Sequence, residues 1–89
     1  MNAIITVVGK DKVGIIAAVS AKLADSNVNI LDISQTIMQD NFTMIMSVDL
    51  SGSRLSLKEL KHELARIGER MGLAINIFSE ELFNSMHRV

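Results

Sequence analysis

Ile4-Ile5-Thr6-Val7-Val8-Gly9-Lys10-Asp11-Lys12-Val13-Gly14-Ile15 is the stretch on which the fold turns. An apolar, β-branched run meets a glycine, a short polar turn follows, and a second glycine opens onto a segment of helical spacing. β-Branched residues suit a pleated strand and glycine interrupts it. Both faces of the run are largely apolar, as in a central strand covered on both sides. A strand that turns this sharply into a helix also aims backbone N–H groups outward. The first N–H groups of a helix have no intrahelical partner, so the corner can hold an anion such as a carboxylate.

Moving toward the C-terminus, Ile16, Val19 and Leu23 recur at helical spacing with Ala17, Ala18 and Ala21 between them, which predicts a helix with one narrow apolar stripe. Asp25-Ser26-Asn27 has the chemistry to end it. A long second strand is predicted from about Val28 to Gln39, with a tight hairpin turn at Asp40-Asn41. In the third strand Phe42, Met44, Met46, Val48 and Leu50 alternate with Thr43, Ile45, Ser47 and Asp49, the period of a half-buried strand. Ser56 and Glu59 have the spacing of a capping box, with Leu55 and Leu60 placed as a hydrophobic staple. Leu57, Leu60, Leu64, Ile67 and Met71 then form one stripe that Gly72 terminates. Leu73 to Phe78 reads as a fourth strand. After Ser79 a short helix is expected, with Glu80 and Glu81 in its first turn and His87 and Arg88 in its last, as suits a helix dipole.

The order β-α-β-β-α-β with right-handed crossovers predicts an α+β, ferredoxin-like sandwich: a four-stranded antiparallel sheet with two helices on one face, plus a short C-terminal helical tail. Strand order 4-1-3-2 makes the second strand an edge, and before the turn that edge carries Asp32 as its one charge. An edge so lightly protected reads as an interface.

Composition excludes several function classes. The chain has 89 residues, 9 Lys+Arg against 10 Asp+Glu, no Cys and no Trp or Tyr. That length reads as one domain, residues 1–89, with a core at about 2–78 and a tail at 79–89. A chain this short buries only about 60–65% of its unfolded surface, so a partner surface would help it. Balanced charge argues against nucleic-acid or membrane partners. Without cysteine there is no disulfide, thiolate zinc site or thiol catalysis. No apolar run approaches a membrane span and no signal peptide is legible, which gives a cytoplasmic expectation. RNA-binding versions of the fold need aromatic residues on the central strands, and only Phe42 stands near one. Gly9 and Gly14 have phosphate-loop separation, but Ile15-Ile16 follows where Lys-Ser/Thr is required. His62 and His87 lack a partner pattern for zinc or catalysis. The expectation is no enzyme, no metal and no cofactor.

Two readings stay open at the loop. Gly9 and Gly14 can simply make a turn that Asp11 caps. Alternatively, the N–H groups hold a ligand carboxylate and Asp11 takes a ligand ammonium. A helix terminus alone contributes about 0.3–2 kcal/mol, so further groups must converge. Asn29, in Asn27-Val28-Asn29-Ile30, offers a donor and an acceptor if edge strands of two chains pair. As a turn residue it needs no ligand.

These two segments, in this element order, resemble the ACT domain, a small ligand-binding module of amino-acid metabolism. Its usual pattern is a strand, a loop like Asp-Arg-Pro-Gly, a helix and a Val-Asn-Ile strand start. Asp11-Lys12-Val13-Gly14 and Val28-Asn29-Ile30 occupy those places, and the likeness spans about residues 2–78. The tail Glu80 to Arg88 looks like that of stand-alone single-domain members, formerly grouped as an uncharacterised family. The resemblance implies a site whose loop half is Gly9, Asp11, Val13 and Gly14, with Asn29 and Ile30 from a partner subunit. It also implies side-by-side dimers that join edge strands. Val13 departs from the family proline, so the loop is less preorganised. The expected function is a small-molecule-binding regulatory or sensor domain. Its partners would be itself, as a homodimer or higher homo-oligomer, a small amino acid or related metabolite at the interface, and a regulated protein. The alternative is a ligand-free interaction module using the edge strand and the tail. That tail stripe, Leu82, Phe83, Met86 and Val89, must pack on the chain's own sheet or on a partner.

Overall fold

The computed structural model describes residues 1–10 and 14–86. The elements are β1 (Asn2–Lys10), α1 (Ile15–Asp25), β2 (Asn29–Met38), β3 (Asn41–Asp49), α2 (Leu57–Met71), β4 (Ala74–Ser79) and α3 (Glu80–Met86). The strands form one sheet in the order β2-β3-β1-β4, with every pairing antiparallel. The chain is thus a ferredoxin-like α+β sandwich with β1 central and β2 at an edge.

Strand periodicity assigns the two faces. Ala3, Ile5 and Val7 of β1 and Phe42, Met44, Met46 and Val48 of β3 are buried on the helix side. They meet Ile15, Val19 and Leu23 of α1 and Leu60, Leu64 and Ile67 of α2 in one core. The alternating third strand is therefore as expected. In α1 the stripe is corrected: Ile15, not Ile16, leads the buried row, and Ile16 stays 39% exposed. The spacing of four from 15 to 19 to 23 holds one face to the sheet, while Ile16 falls on the flank.

The hairpin turn is also shifted. Gln39 and Asp40, with φ of 50° and 69°, make the turn, and Asn41 already pairs with Met38. Two consecutive left-handed residues match the twist of the flanking strands, which places the turn one residue earlier than expected. Asn27 is left-handed as well (φ 59°), and its Nδ2 donates to the Gly52 carbonyl at 2.8 Å. Its role is to close α1 against the loop before α2.

On β2, Ile33, Gln35 and Ile37 share the helix-side face with Met46, Met44 and Phe42, yet all three remain exposed. The reason is helix placement. α2 lies against β4, and among the described residues α1 alone approaches β2. A register shift between Ile30 and Asp32 bulges Leu31 outward.

α2 begins as the sequence predicts. Ser56 Oγ accepts from Glu59 N at 3.1 Å, and Glu59 Oε1 accepts from Ser56 N at 2.9 Å. Gly72 ends the helix at φ 71° with its N–H on the Gly68 carbonyl. Ser56→Ala is expected to lower the unfolding free energy by about 1 kcal/mol, read by urea denaturation. The cap also carries a pH signature. The Ser56 N–H, then its hydroxyl, hold the Glu59 carboxyl below its ordinary 4.5. The Ser51 hydroxyl, then its N–H, do the same to Asp49 below 3.8, and the Lys22 ammonium to Glu63 below 4.5. Each folded-state pKa lies under its unfolded value, so the folded chain binds fewer protons in between. This stability is fully present above the unfolded pKa and is lost as pH falls through the folded one. Melting temperature is expected to be flat from pH 7 to about 5 and to fall below about 4.5, with a shallower fall in Ser56→Ala. Equal acid slopes in both proteins would remove the cap from this account.

Candidate functional site

Gly9 sits in β1 opposite Phe42, and a Cβ there would run into Leu73 Cδ2. Its glycine is a packing requirement of β1 against the start of β4. Gly14 is different. It is the N-cap of α1 at φ 89°, exposed, with open space where a Cβ would stand. Only its backbone conformation demands glycine. Asp11 and Val13 lie outside the described residues, as do His87 and Arg88.

With glycine at the N-cap, α1 has no side-chain cap among the described residues and no acidic residue in its first turn. The first helical bond runs from Ala18 N to the Gly14 carbonyl at 2.9 Å. The N–H groups of Ile15, Ile16 and Ala17 therefore stand ahead of the helix ladder, at the positive end of its dipole. They border a cavity of about 560 Å³ whose walls include Gly14, Ile16, Ser20, Gln35, Ile37 and Phe42. Among the described residues, no lining side chain is charged. The cavity thus pairs one electropositive helix end with apolar walls and two neutral hydrogen-bonding groups, Ser20 and Gln35. It can seat a small molecule with an anionic end and an apolar body.

The sequence pointed to the helix start but missed Gln35, Ile37 and Phe42 as walls. A signal existed. Ile33, Gln35 and Ile37 alternate along β2, and a glutamine between two isoleucines on the inner face of an edge strand marks a place where the inner layer is open.

Asn29 and Ile30 lie elsewhere. Asn29 pairs with Asp49 and lines a smaller polar cavity with Asn27 and Gly52. Gly9 pairs with Phe42, seven residues back along β3. At about 3.3 Å per residue the two ends are roughly 23 Å apart, so one chain does not bring Asn29 to its own Gly14. Asn29 shares the open face with Asp49, while half-buried Ile30 pairs with Val48 on the helix side.

The tail adopts its helix, with Ser79 Oγ accepting from Leu82 N at 3.1 Å. It docks on its own chain. The Phe83 and Phe78 rings lie 6.3 Å apart, and Phe78 pairs with Ile4 on the open face. Leu82 and Met86 remain about half exposed. Among the described residues no group of His, Cys, Asp and Glu is arranged to hold a metal ion, and no helix is long and apolar enough to cross a membrane.

Comparison with known proteins places this geometry. A protein of Clostridium acetobutylicum in the UPF0237 group is 61% identical over 89 residues, covering 100% of both chains. The solved ACT domain protein from Streptococcus pneumoniae is 46% identical and superimposes with a TM-score of 0.82, covering 93% of each chain. The regulatory subunit of aspartate kinase from Thermus thermophilus shares the fold at 21% identity, with a TM-score of 0.68 over 88% of this chain and 51% of that one. The model of the ACT domain matches residues 2–77, from the first residue of β1 into β4. With β1, its glycine corner, the edge strand and both core helices all inside that match, the chain belongs to the ACT domain family.

Proposed function

We propose that this chain is a small-molecule-binding regulatory domain that takes an amino acid or related metabolite at the seam of a homodimer. The carrying observation is the cavity at the start of α1, whose described lining is uncharged and which an edge strand walls on one side. A carboxylate on the free N–H groups of α1, with the ligand's apolar part against Ile16 and Ile37, uses every feature of that lining. The dimer follows from the edge. Antiparallel pairing of β2 with its copy about the middle residue, Ile33, with Leu31 bulged on both strands, sets the partner's Ile30 opposite Gln35. It sets the partner's Asn29 opposite Thr36, on the open face behind the cavity. Ile30 then supplies the missing wall on the helix side. In the aspartate kinase relative the same fold belongs to a regulatory subunit, which agrees with a sensing role.

A thermal-shift screen against the amino acids and common small carboxylates tests the reading. A ligand that binds only the folded state adds about 2.7 kcal/mol at a hundredfold excess over Kd. Ile30→Ala is expected to weaken that ligand about fivefold or more, the worth of the apolar contact it removes across the seam. Sedimentation equilibrium should give a species of at least two chains. A strictly monomeric protein, or an unchanged affinity in Ile30→Ala, removes the shared pocket. If no compound shifts the melting curve, exposed Ile33 and Ile37 favour the second reading, an interaction module that offers its edge to another protein.

A further inference from the structure

The hairpin fixes which backbone groups of β2 are left over at the sheet edge. Its two-residue turn at Gln39-Asp40 is closed by Met38 and Asn41, the pair that exchanges both backbone hydrogen bonds in such a hairpin. Counting back by twos, Thr36 and Ser34 also turn their N–H and C=O toward β3. Ile37, Gln35 and Ile33 turn theirs away from the sheet. A side-chain bond agrees with this count. The Ile33 N–H donates to Asp32 Oδ1 at 2.9 Å, on the exposed side of the strand. Asp32 is the one charge in the β2 sequence NILDISQTIM, and it stands next to the bulge at Leu31.

The donor that Asp32 holds lies at the middle of the strand. In the antiparallel pairing of β2 with its copy described above, Ile33 stands on the two-fold axis. Its N–H and carbonyl would exchange bonds with those of the other Ile33, which makes these the two central bonds of the seam. While the carboxylate sits on the Ile33 N–H, the carbonyl oxygen of an arriving strand meets a charged oxygen instead of a donor. We propose that Asp32 is an intramolecular latch on the β2 edge: its carboxylate covers the central donor of the seam in the free chain and must leave before two copies pair. This rests on the paired seam of the proposed function and names how that seam is regulated. A charge-assisted hydrogen bond is stronger than a neutral one, but at an exposed edge water can replace it, so the latch weakens pairing without forbidding it. Each dimer must open two latches, so the effect enters twice. A seam held weak in this way is one that a ligand can drive. A molecule whose wall the partner's Ile30 completes binds the dimer and shifts the balance toward it by mass action. Edge strands use bulges and charges against unwanted pairing. β2 has one of each, side by side, and keeps Ile33 and Ile37 exposed for the copy that arrives once the latch opens.

Asp32 is exposed, so its replacement leaves the core intact. Asp32→Asn keeps an acceptor beside the Ile33 N–H without the charge, and Asp32→Ala removes both. Sedimentation velocity over a concentration series, on the full chain, is expected to give a dimer about tenfold tighter in Asp32→Ala than in the wild type, with Asp32→Asn between them. Plain repulsion between the two Asp32 carboxylates near the axis would make the two variants equal, and that result overturns the latch. Amide exchange at a dilution where the chain is monomeric gives a second readout. The Ile33 amide is expected to exchange about threefold faster in Asp32→Ala, with Gln35 unchanged. Equal exchange at Ile33 in the two proteins overturns the latch as well. If wild type and variants dimerise equally, the seam stands and the latch falls. If all of them stay monomeric at every concentration, the seam itself falls and takes the latch with it.

Discussion

Leu64→Ala is expected to lower the unfolding free energy by about 2–5 kcal/mol, the largest single effect open to a conservative truncation here. Leu64 is 1% exposed in the middle of the α2 stripe, between Leu60 and Ile67, and faces the buried row of the sheet. Truncation loses the transfer free energy of the removed carbons and leaves a void that a two-layer sandwich cannot close without moving a helix. Domains of this size are held by about 5–15 kcal/mol in all, so a sizeable share of the total is at stake. Each kcal/mol moves the melting temperature of such a domain by about 4–8 °C, so a fall of about 8 °C or more should accompany the change. Urea denaturation gives the measurement, with the midpoint falling and the slope unchanged. Ile37→Ala is the internal comparison. Ile37 has a similar side chain but is 61% exposed at the open edge of the core, and its truncation should cost well under 1 kcal/mol. A loss in Leu64→Ala no larger than in Ile37→Ala would show that α2 does not carry the core.

The second large effect reverses a propensity rule. Gly68 lies inside α2, where alanine would normally gain about 1 kcal/mol over glycine. Gly68→Ala should nevertheless destabilise, by about 1–3 kcal/mol net. A Cβ at Gly68 would stand 2.7 Å from the Leu73 carbonyl oxygen and 3.4 Å from Ile75 Cγ1. The first contact is backbone at the entrance to β4, fixed by the Leu73 N–H on the Gly68 carbonyl at 2.8 Å, so it cannot rotate away. Relief requires α2 to lift off β4, the strand it packs against. Thermal melts of Gly68→Ala beside Ala65→Gly separate the terms. Ala65 is exposed on the same helix, and its change reports propensity alone. If Gly68→Ala proved stabilising, the close approach of α2 to β4 would be wrong.

The fold was legible because each element announced itself twice. α2 had both a stripe and a capping box, and β3 both strict alternation and a hairpin before it. Where only one signal existed, the boundary slipped. In α1 the spacing points to Ile16 at the head of the inner row, and only the angle at which the helix meets the sheet selects Ile15. The sequence puts the hairpin turn at Asp40-Asn41 with Gln39 in the strand, whereas strand twist selects Gln39 and Asp40, although glutamine is no turn residue by propensity. Gly68 was silent for a related reason: a glycine inside a helical pattern does not say which backbone approaches it. At the site, the uncapped helix start followed from Gly14, whereas Gln35 and Phe42 as walls depend on how far α1 extends over β2. That distance is a tertiary quantity with no local code.

The central position of β1 has a consequence for how the chain is made. Its neighbours are β3, where Asn2 pairs with Asp49, and β4, where Ala3 pairs with Ser79. β1 is therefore flanked by residues 47 and 76 positions downstream, and it cannot acquire its second neighbour until β4 has been made. Only the β2–β3 hairpin joins strands adjacent in sequence. Long loops close slowly, and a sheet whose middle strand depends on them has high contact order for its size. During synthesis Ile4-Ile5-Thr6-Val7-Val8 thus waits as an unpaired apolar segment, and Lys10, Asp11 and Lys12 stand beside it in sequence as charges of the kind that oppose aggregation.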